Sequence, residues 1–316
     1  MFLKHLINPR PTIILFFIVF CILFICLPLL NSPFELVFSH QWVSPIFVFL
    51  FGLLLPSFNA LGINNLVYEK NIIRKDNLVL GFVFLLLCTP FVNTVTEWII
   101  SFFLLFFLDS ILETYQKEYP FAQVFNAGII VSVFSFILPN LLFFMFLIVI
   151  SGINYSNLNW RNLCISCIGI AVPYFFYFVY TFLFDRAFIF PTFETLELIS
   201  FTDINDFKIP KLIWLSILLI ISLLSFIELF QWLYKKSIIS RKSFLIILFY
   251  FIFSLLLIAF GGLKSWYFLM TPLCVIIGNY FTNTKNRKIG NFLFLLFIIS
   301  SFYCRSVSYT HLTLPT

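Results

Sequence analysis

Residues 12–30 read TIILFFIVFCILFICLPLL, without one charged side chain. As an α-helix rising 1.5 Å per residue, the run is about 28 Å long. The hydrocarbon core of a bilayer is about 30 Å thick. A soluble amphipathic helix keeps a polar face for water, and this run has none. It is read as a membrane span.

Working outward from it, further apolar windows separated by turn residues and charge fall at 44–67, 78–93, 97–114, 122–138, 140–153, 163–184, 212–233, 244–261, 266–281 and 291–304. The expectation is an all-α, polytopic transmembrane helical bundle of about eleven spans. The weakest divisions are the Pro139-Asn140 turn and the short third window. Composition agrees, since 62% of the 316 residues are hydrophobic and only 10% are charged, which excludes a pair of soluble domains. The net charge of +6 is scattered through short loops instead of forming a basic patch, so no nucleic-acid partner is expected. Phe fills 48 positions. With abundant Ile and Asn, that excess suits an AT-rich genome and marks no cofactor box. Cys164 and Cys167 form a Cys-x-x-Cys pair, but at the start of a membrane helix this spacing is read as core packing.

Loops on the cytoplasmic side hold an excess of Lys and Arg. With the N-terminus cytoplasmic, only Arg186, Lys208, Lys211, Lys264 and Arg305 of the 19 Lys and Arg fall outside, and the bias alternates correctly at every loop. The location expected is a bacterial inner membrane, with the lipid bilayer as first partner. The first apolar run is too long for a signal-peptide core and lacks a small-residue cleavage site. The largest loop, 185–211, then lies outside. Phe193, Leu196 and Ile199 beside Glu194 and Glu197 suit a short helix in the headgroup layer. No internal repeat is evident.

Beyond Arg305 the chain reads SVSYTHLTLPT, polar and Thr-rich. The codons GTC TCT TAT ACA CAT CTG ACG CTG CCG ACG encode Val307–Thr316 and look like a transposase mosaic end followed by a sequencing-library adaptor. Residues 1–306 are therefore expected to be a single integral membrane domain, and 307–316 a translated adaptor to set aside. His311 goes with it, and the natural C-terminus is expected to be missing.

Carboxylates inside a membrane are costly, about 2.5–3.5 kcal/mol at a helix centre, and so mark functional candidates. Glu228 is near enough to Lys235 to snorkel or pair. Glu113 stands four residues before Lys117, the favourable order for a helical ion pair. Asp109 lies about 12 Å inward of Lys117. The next helix would bring Asn126 and Ser132 near it, with Gly128 and Ser132 forming a face that permits close backbone approach. One reading makes Asp109 and Asn126 an intramembrane polar or substrate-binding site. The alternative is a hydrogen-bonded Asp clamping two helices. On the outer face, Glu35, Glu97, Asp185 and Arg186 are the catalytic candidates for glycosyl transfer. His40, Glu194, Glu197, Asp203 and Asp206 are further titratable groups there. No paired Asp-x-Asp arrangement accompanies them, and neither a metal site nor a cofactor is expected.

VFNAG at 124–128, Leu138-Pro139, NWRN at 159–162, GIAVPY at 169–174 and NPRPT at 8–12 resemble a flavobacterial family of multi-pass membrane proteins of unknown function. The resemblance covers roughly the first 185 residues. Members are often labelled beta-carotene monooxygenase. That chemistry implies iron held by several His side chains. Apart from His311, only His5 and His40 are present, on opposite sides of the expected membrane, so the label is not supported. Three function classes stay open. The leading one is envelope glycan assembly, by glycosyl transfer or polymerisation, on a polyprenyl-linked substrate at the outer face. The others are a small-molecule or lipid transporter or flippase, and a non-catalytic subunit bound to other membrane proteins.

Overall fold

The computed structural model describes residues 2–7, 9–29, 45–92, 94–188 and 209–310. Among them are twelve α-helices: α1 Phe2–Leu6, α2 Pro11–Leu29, α3 Pro45–Glu69, α4 Val79–Cys88, α5 Val95–Leu112, α6 Phe121–Ser135, α7 Met145–Asn154, α8 Trp160–Leu183, α9 Ile209–Leu233, α10 Ile238–Gly261, α11 Tyr267–Asn283 and α12 Arg287–Thr310. Short 3-10 turns at Pro139–Phe144 and Leu263–Trp266 lead into α7 and α11. The described residues contain no strand, only an isolated bridge between Ile7 and Asn77. Each apolar window overlaps one of α2 to α12, the third running past the end of its helix at Cys88. Six helices are long and apolar enough to cross a membrane: Leu50–Glu69, Val95–Leu112, Trp160–Leu183, Ile209–Leu233, Ile238–Gly261 and Arg287–Ser306. Pro11–Ile25, Val79–Cys88, Phe121–Ser135 and Pro139–Tyr155 form shorter apolar helices.

The core is built on α4 and α11. All ten residues of α4 are buried, as is every residue of α11 from Tyr267 to Thr282. A Cβ added at Gly278 would stand 2.8 Å from the Leu80 side chain, so the glycine lets the two helices meet. The first turn of α4 is capped from outside: Leu80 N–H donates to Asn77 Oδ1 (3.3 Å) and Gly81 N–H to Asn64 Oδ1 (3.2 Å). Such amides have no partner within their own helix. At the other end Trp266 Nε1 donates to the Leu87 carbonyl at 2.8 Å. Pro90 disfavours helical geometry at the residue before it, and Thr89 is extended, ending α4.

Neighbouring helices run in definable directions. Asn59 Nδ2 donates to the Trp98 carbonyl, Gly62 lies beside Leu105 and Lys70 meets Asp109. Positions rise together along both chains, so α3 and α5 are parallel, and α4 carries the chain back between them. At one end of the bundle several loops touch. Arg74 donates to Ser237, Ser240 to the Asn71 carbonyl, Asn154 to the Lys242 carbonyl and Asn157 to the Thr114 carbonyl. Another aromatic cluster joins Phe91, Trp214 and Trp266, with ring centroids 5.0–6.3 Å apart.

Gly128 and Ser132 form a close-approach face as expected, but it meets α8. A Cβ at Gly128 would lie 2.9 Å from the Ser166 carbonyl oxygen, and one at Gly169 only 2.7 Å from that of Phe125. Ser132 Oγ donates to the Ile170 carbonyl at 2.6 Å, and Ser135 Oγ shares a 2.6 Å hydrogen bond with Tyr174. The remainder of α8 is turned outward, with Phe176 and Phe182 67% and 73% exposed. This corrects the reading of the Cys pair as core packing. Cys164 is half-buried and Cys167 exposed, because they lie on a peripheral helix packed chiefly on α6.

Gly169→Leu is expected to part α6 from α8 and lower the thermal midpoint in detergent by several degrees. Ser132→Ala, which removes only a hydrogen bond, should cost about 0.6 kcal/mol. Equal losses for the two variants would contradict backbone contact as the basis of this seam.

Candidate functional site

On α3, Gly62, Asn65, Leu66 and Glu69 recur at the spacing of one helical face. On α5, Phe102, Leu105, Phe106 and Asp109 repeat the same spacing. These eight residues line one groove of about 240 Å³ between the parallel helices. Its polarity is graded. Gly62, Leu66, Phe102, Leu105 and Phe106 make an apolar channel, and Glu69 and Asp109 stand together at one end. Gly62 faces Leu105 across the channel, where a Cβ would meet it at 3.4 Å, an ordinary contact.

The polar end is organised by an ion pair. Lys70 Nζ lies 2.7 Å from Asp109 Oδ1, with side chains 20% and 39% exposed. Beside it, Asn65 Nδ2 donates to Glu69 Oε1 at 2.8 Å. Lys70 directly follows the last residue of α3, so Asp109 sits level with that helix end. Its partner is a lysine just beyond the end of α3, and Asn126 is not part of the arrangement. Asn126 is exposed on α6, whose small-residue face is occupied by α8. A carboxylate accepts hydrogen bonds from hydroxyl or amine groups, and an ammonium donates them to phosphate or carbonyl oxygens. The groove thus offers an apolar slot ending in two carboxylates, one of them paired with the neighbouring Lys70 ammonium.

The remaining candidates are dispersed. Glu97 closes a capping box at the start of α5. Its backbone N–H donates to Thr94 Oγ1 (3.3 Å) and its carboxylate accepts from Thr94 N–H (3.0 Å). That is a helix-start role. Asp185 and Arg186 follow α8 and are exposed. Asp185 has a left-handed φ of 48°, and the Arg186 guanidinium lies 5.8 Å from the Tyr180 ring centre. Glu35, His40, Glu194, Glu197, Asp203 and Asp206 fall outside the described residues. Glu113 and Lys117 form the expected ion pair at 2.7 Å. The hydrogen bond from Lys117 lowers the Glu113 carboxyl below its ordinary value. Glu228 is half-buried on α9. Among the described residues no three of His, Cys, Asp or Glu gather closely enough to hold a metal ion.

Sequence reasoning missed Lys70, Asn65 and Glu69. The signal was present as two helices sharing one spacing, each ending in an acid. One family model matches the chain, over residues 1–310, and it describes a family of unknown function (DUF6427). Neither the curated proteins nor the solved structures contain a match.

A double-mutant cycle of Lys70→Gln and Asp109→Asn, read by thermal unfolding in detergent, is expected to give a coupling of about 0.2–1 kcal/mol, the range of partly exposed pairs. Coupling indistinguishable from zero would contradict the pair.

Proposed function

For a chain that belongs to this family of unknown function, we propose a role as a polytopic protein of a bacterial inner membrane that handles a lipid-linked substrate in envelope glycan assembly. The observation that carries the reading is the graded groove between α3 and α5. Its apolar length suits a prenyl or acyl chain. At its end, Asn65, Glu69 and Asp109 can accept from sugar hydroxyls, and Lys70 can meet a phosphate. Glycosyl transfer at the outer face would draw on Glu35 or the 185–211 loop. A flippase is the second reading, favoured by the position of the Lys70–Asp109 pair at the end of α3 where the Lys- and Arg-rich loops lie.

The finer topology belongs to the same proposal: about eleven crossings with the N-terminus cytoplasmic. Three observations support it. The chain reverses through α4 between the parallel α3 and α5. Loops read as cytoplasmic hydrogen-bond one another. Most of the cationic residues lie in those loops.

Deleting an intact genomic homologue should cause a lipid-linked glycan precursor, measured by mass spectrometry, to accumulate while surface polysaccharide falls. Under the flippase reading, complementation by Asp109→Asn should restore less than about a tenth of wild-type polymer, a loss on the scale of one removed charged contact, whereas transfer at the outer face should leave most of it restored. The leaflet in which precursor collects separates flipping from transfer, and unchanged profiles would refute both. For topology, Ser237→Cys in a protein with Cys164 and Cys167 replaced by Ser should react with an impermeant maleimide only after the membrane is opened. Labelling of intact cells would reverse the orientation.

A further inference from the structure

A second cavity, of about 490 Å³, lies where the N-terminal segment meets the turn between α11 and α12. It shares no lining residue with the groove. Its walls are tied together by hydrogen bonds between distant segments. Leu3 N–H donates to Asn291 Oδ1 at 3.1 Å, and Leu78 N–H donates to the Leu6 carbonyl at 2.9 Å. The cavity is therefore a built feature of the fold, enclosed on one side by α1.

Its chemistry is one-signed. Lys4, Lys75 and Arg287 line it together with Thr282, Asn283 and Asn291, and among the described lining residues there is no carboxylate. Lys75 Nζ is held by neutral acceptors, the Thr282 carbonyl at 3.1 Å and Asn283 Oδ1 at 3.2 Å. These contacts aim the ammonium without neutralising it. Partial burial, followed by the nearby Lys236 and Arg287, pushes Lys75 below the ordinary lysine value, as expected beside like charges. Bringing like charges together on one wall is unfavourable, and an anion would offset it. Arg287 adds a planar fork suited to two phosphate oxygens. It also opens α12, whose helix start favours negative charge.

We propose that this cavity binds a phosphorylated anion of the diphosphate class, held by Lys4, Lys75 and Arg287. Three cations lining one cavity match the charge of a diphosphate better than that of a monovalent ion. The volume falls within the range of ligand pockets, about 300–1,000 Å³, and leaves room for a group attached to the phosphates. A lipid diphosphate and a soluble nucleoside diphosphate share this chemistry. The proposal does not rest on the groove and stands or falls separately from it.

The test uses the full chain in nanodiscs of zwitterionic lipid, with inorganic pyrophosphate titrated calorimetrically at low salt. Saturable binding that weakens as salt is raised is expected. Lys4 and Arg287 are both exposed, so the double variant Lys4→Gln/Arg287→Gln should keep its fold, checked by size-exclusion chromatography, and bind about tenfold more weakly. Lys75→Gln should weaken binding as well. Competition assigns the source. Stronger displacement by farnesyl diphosphate indicates a lipid ligand, and stronger displacement by ADP a soluble one. Absence of saturable pyrophosphate binding, or equal binding by wild type and the folded double variant, would overturn the proposal.

Discussion

A backbone hydrogen-bonding group facing hydrocarbon has no water to turn to. A ten-residue helix, about 15 Å long, leaves both ends short of the headgroups, so α4 must be surrounded by protein. Its enclosure is the condition on which the rest of the bundle depends. Asn64 and Asn77 take the amides of its first turn, Trp266 takes a carbonyl of its last, and Gly278 lets α11 lie against it. Because α4 and α11 are buried along their lengths, the other helices form a jacket around them, and the jacket meets lipid with its exposed Phe and Leu side chains.

The same arrangement creates both sites. Since α4 returns the chain between α3 and α5, those two run parallel, and equal spacing along them places Glu69 beside Asp109 at one end of an otherwise apolar groove. The loop that joins α3 to α4 carries Lys75 and Asn77. It crosses to the α11–α12 turn and the N-terminal segment, and there completes the basic cavity. Two cavities of different character thus follow from how one buried helix is reached and left.

Much of this was legible in the sequence. Apolar runs located the helices, because a lipid-facing or wholly buried helix has no polar stripe to disguise it. Proline stands at two helix boundaries, since Thr89 and Leu138 are extended before Pro90 and Pro139; the Pro139 turn reads as a division in the sequence, while the third window, 78–93, runs through Pro90. What could not be read was which face meets which helix. Gly128 and Ser132 signalled a close contact, and α5 and α8 were equally available to make it. Asp109 found Lys70, far away in sequence, because helix order and not spacing along the chain decides such a meeting. Glu97 was legible in another way: Thr94-Val95-Thr96-Glu97 has the Thr-x-x-Glu form of a helix start, and its carboxylate caps α5. The Cys pair was misplaced because burial was inferred from residue type, and α8 is a peripheral helix.

Hydrogen exchange of the intact chain in nanodiscs, followed by mass spectrometry, tests the enclosed core most directly. In lipid every spanning helix is protected, so the informative comparison is made as denaturant is raised. Amides of Val79–Cys88 and Tyr267–Asn283 should be the last to open, after those of the peripheral Trp160–Leu183, because exposing the enclosed helices requires loss of the whole jacket. If Val79–Cys88 opens as early as α8, the bundle is not organised around it, and this account of the fold fails.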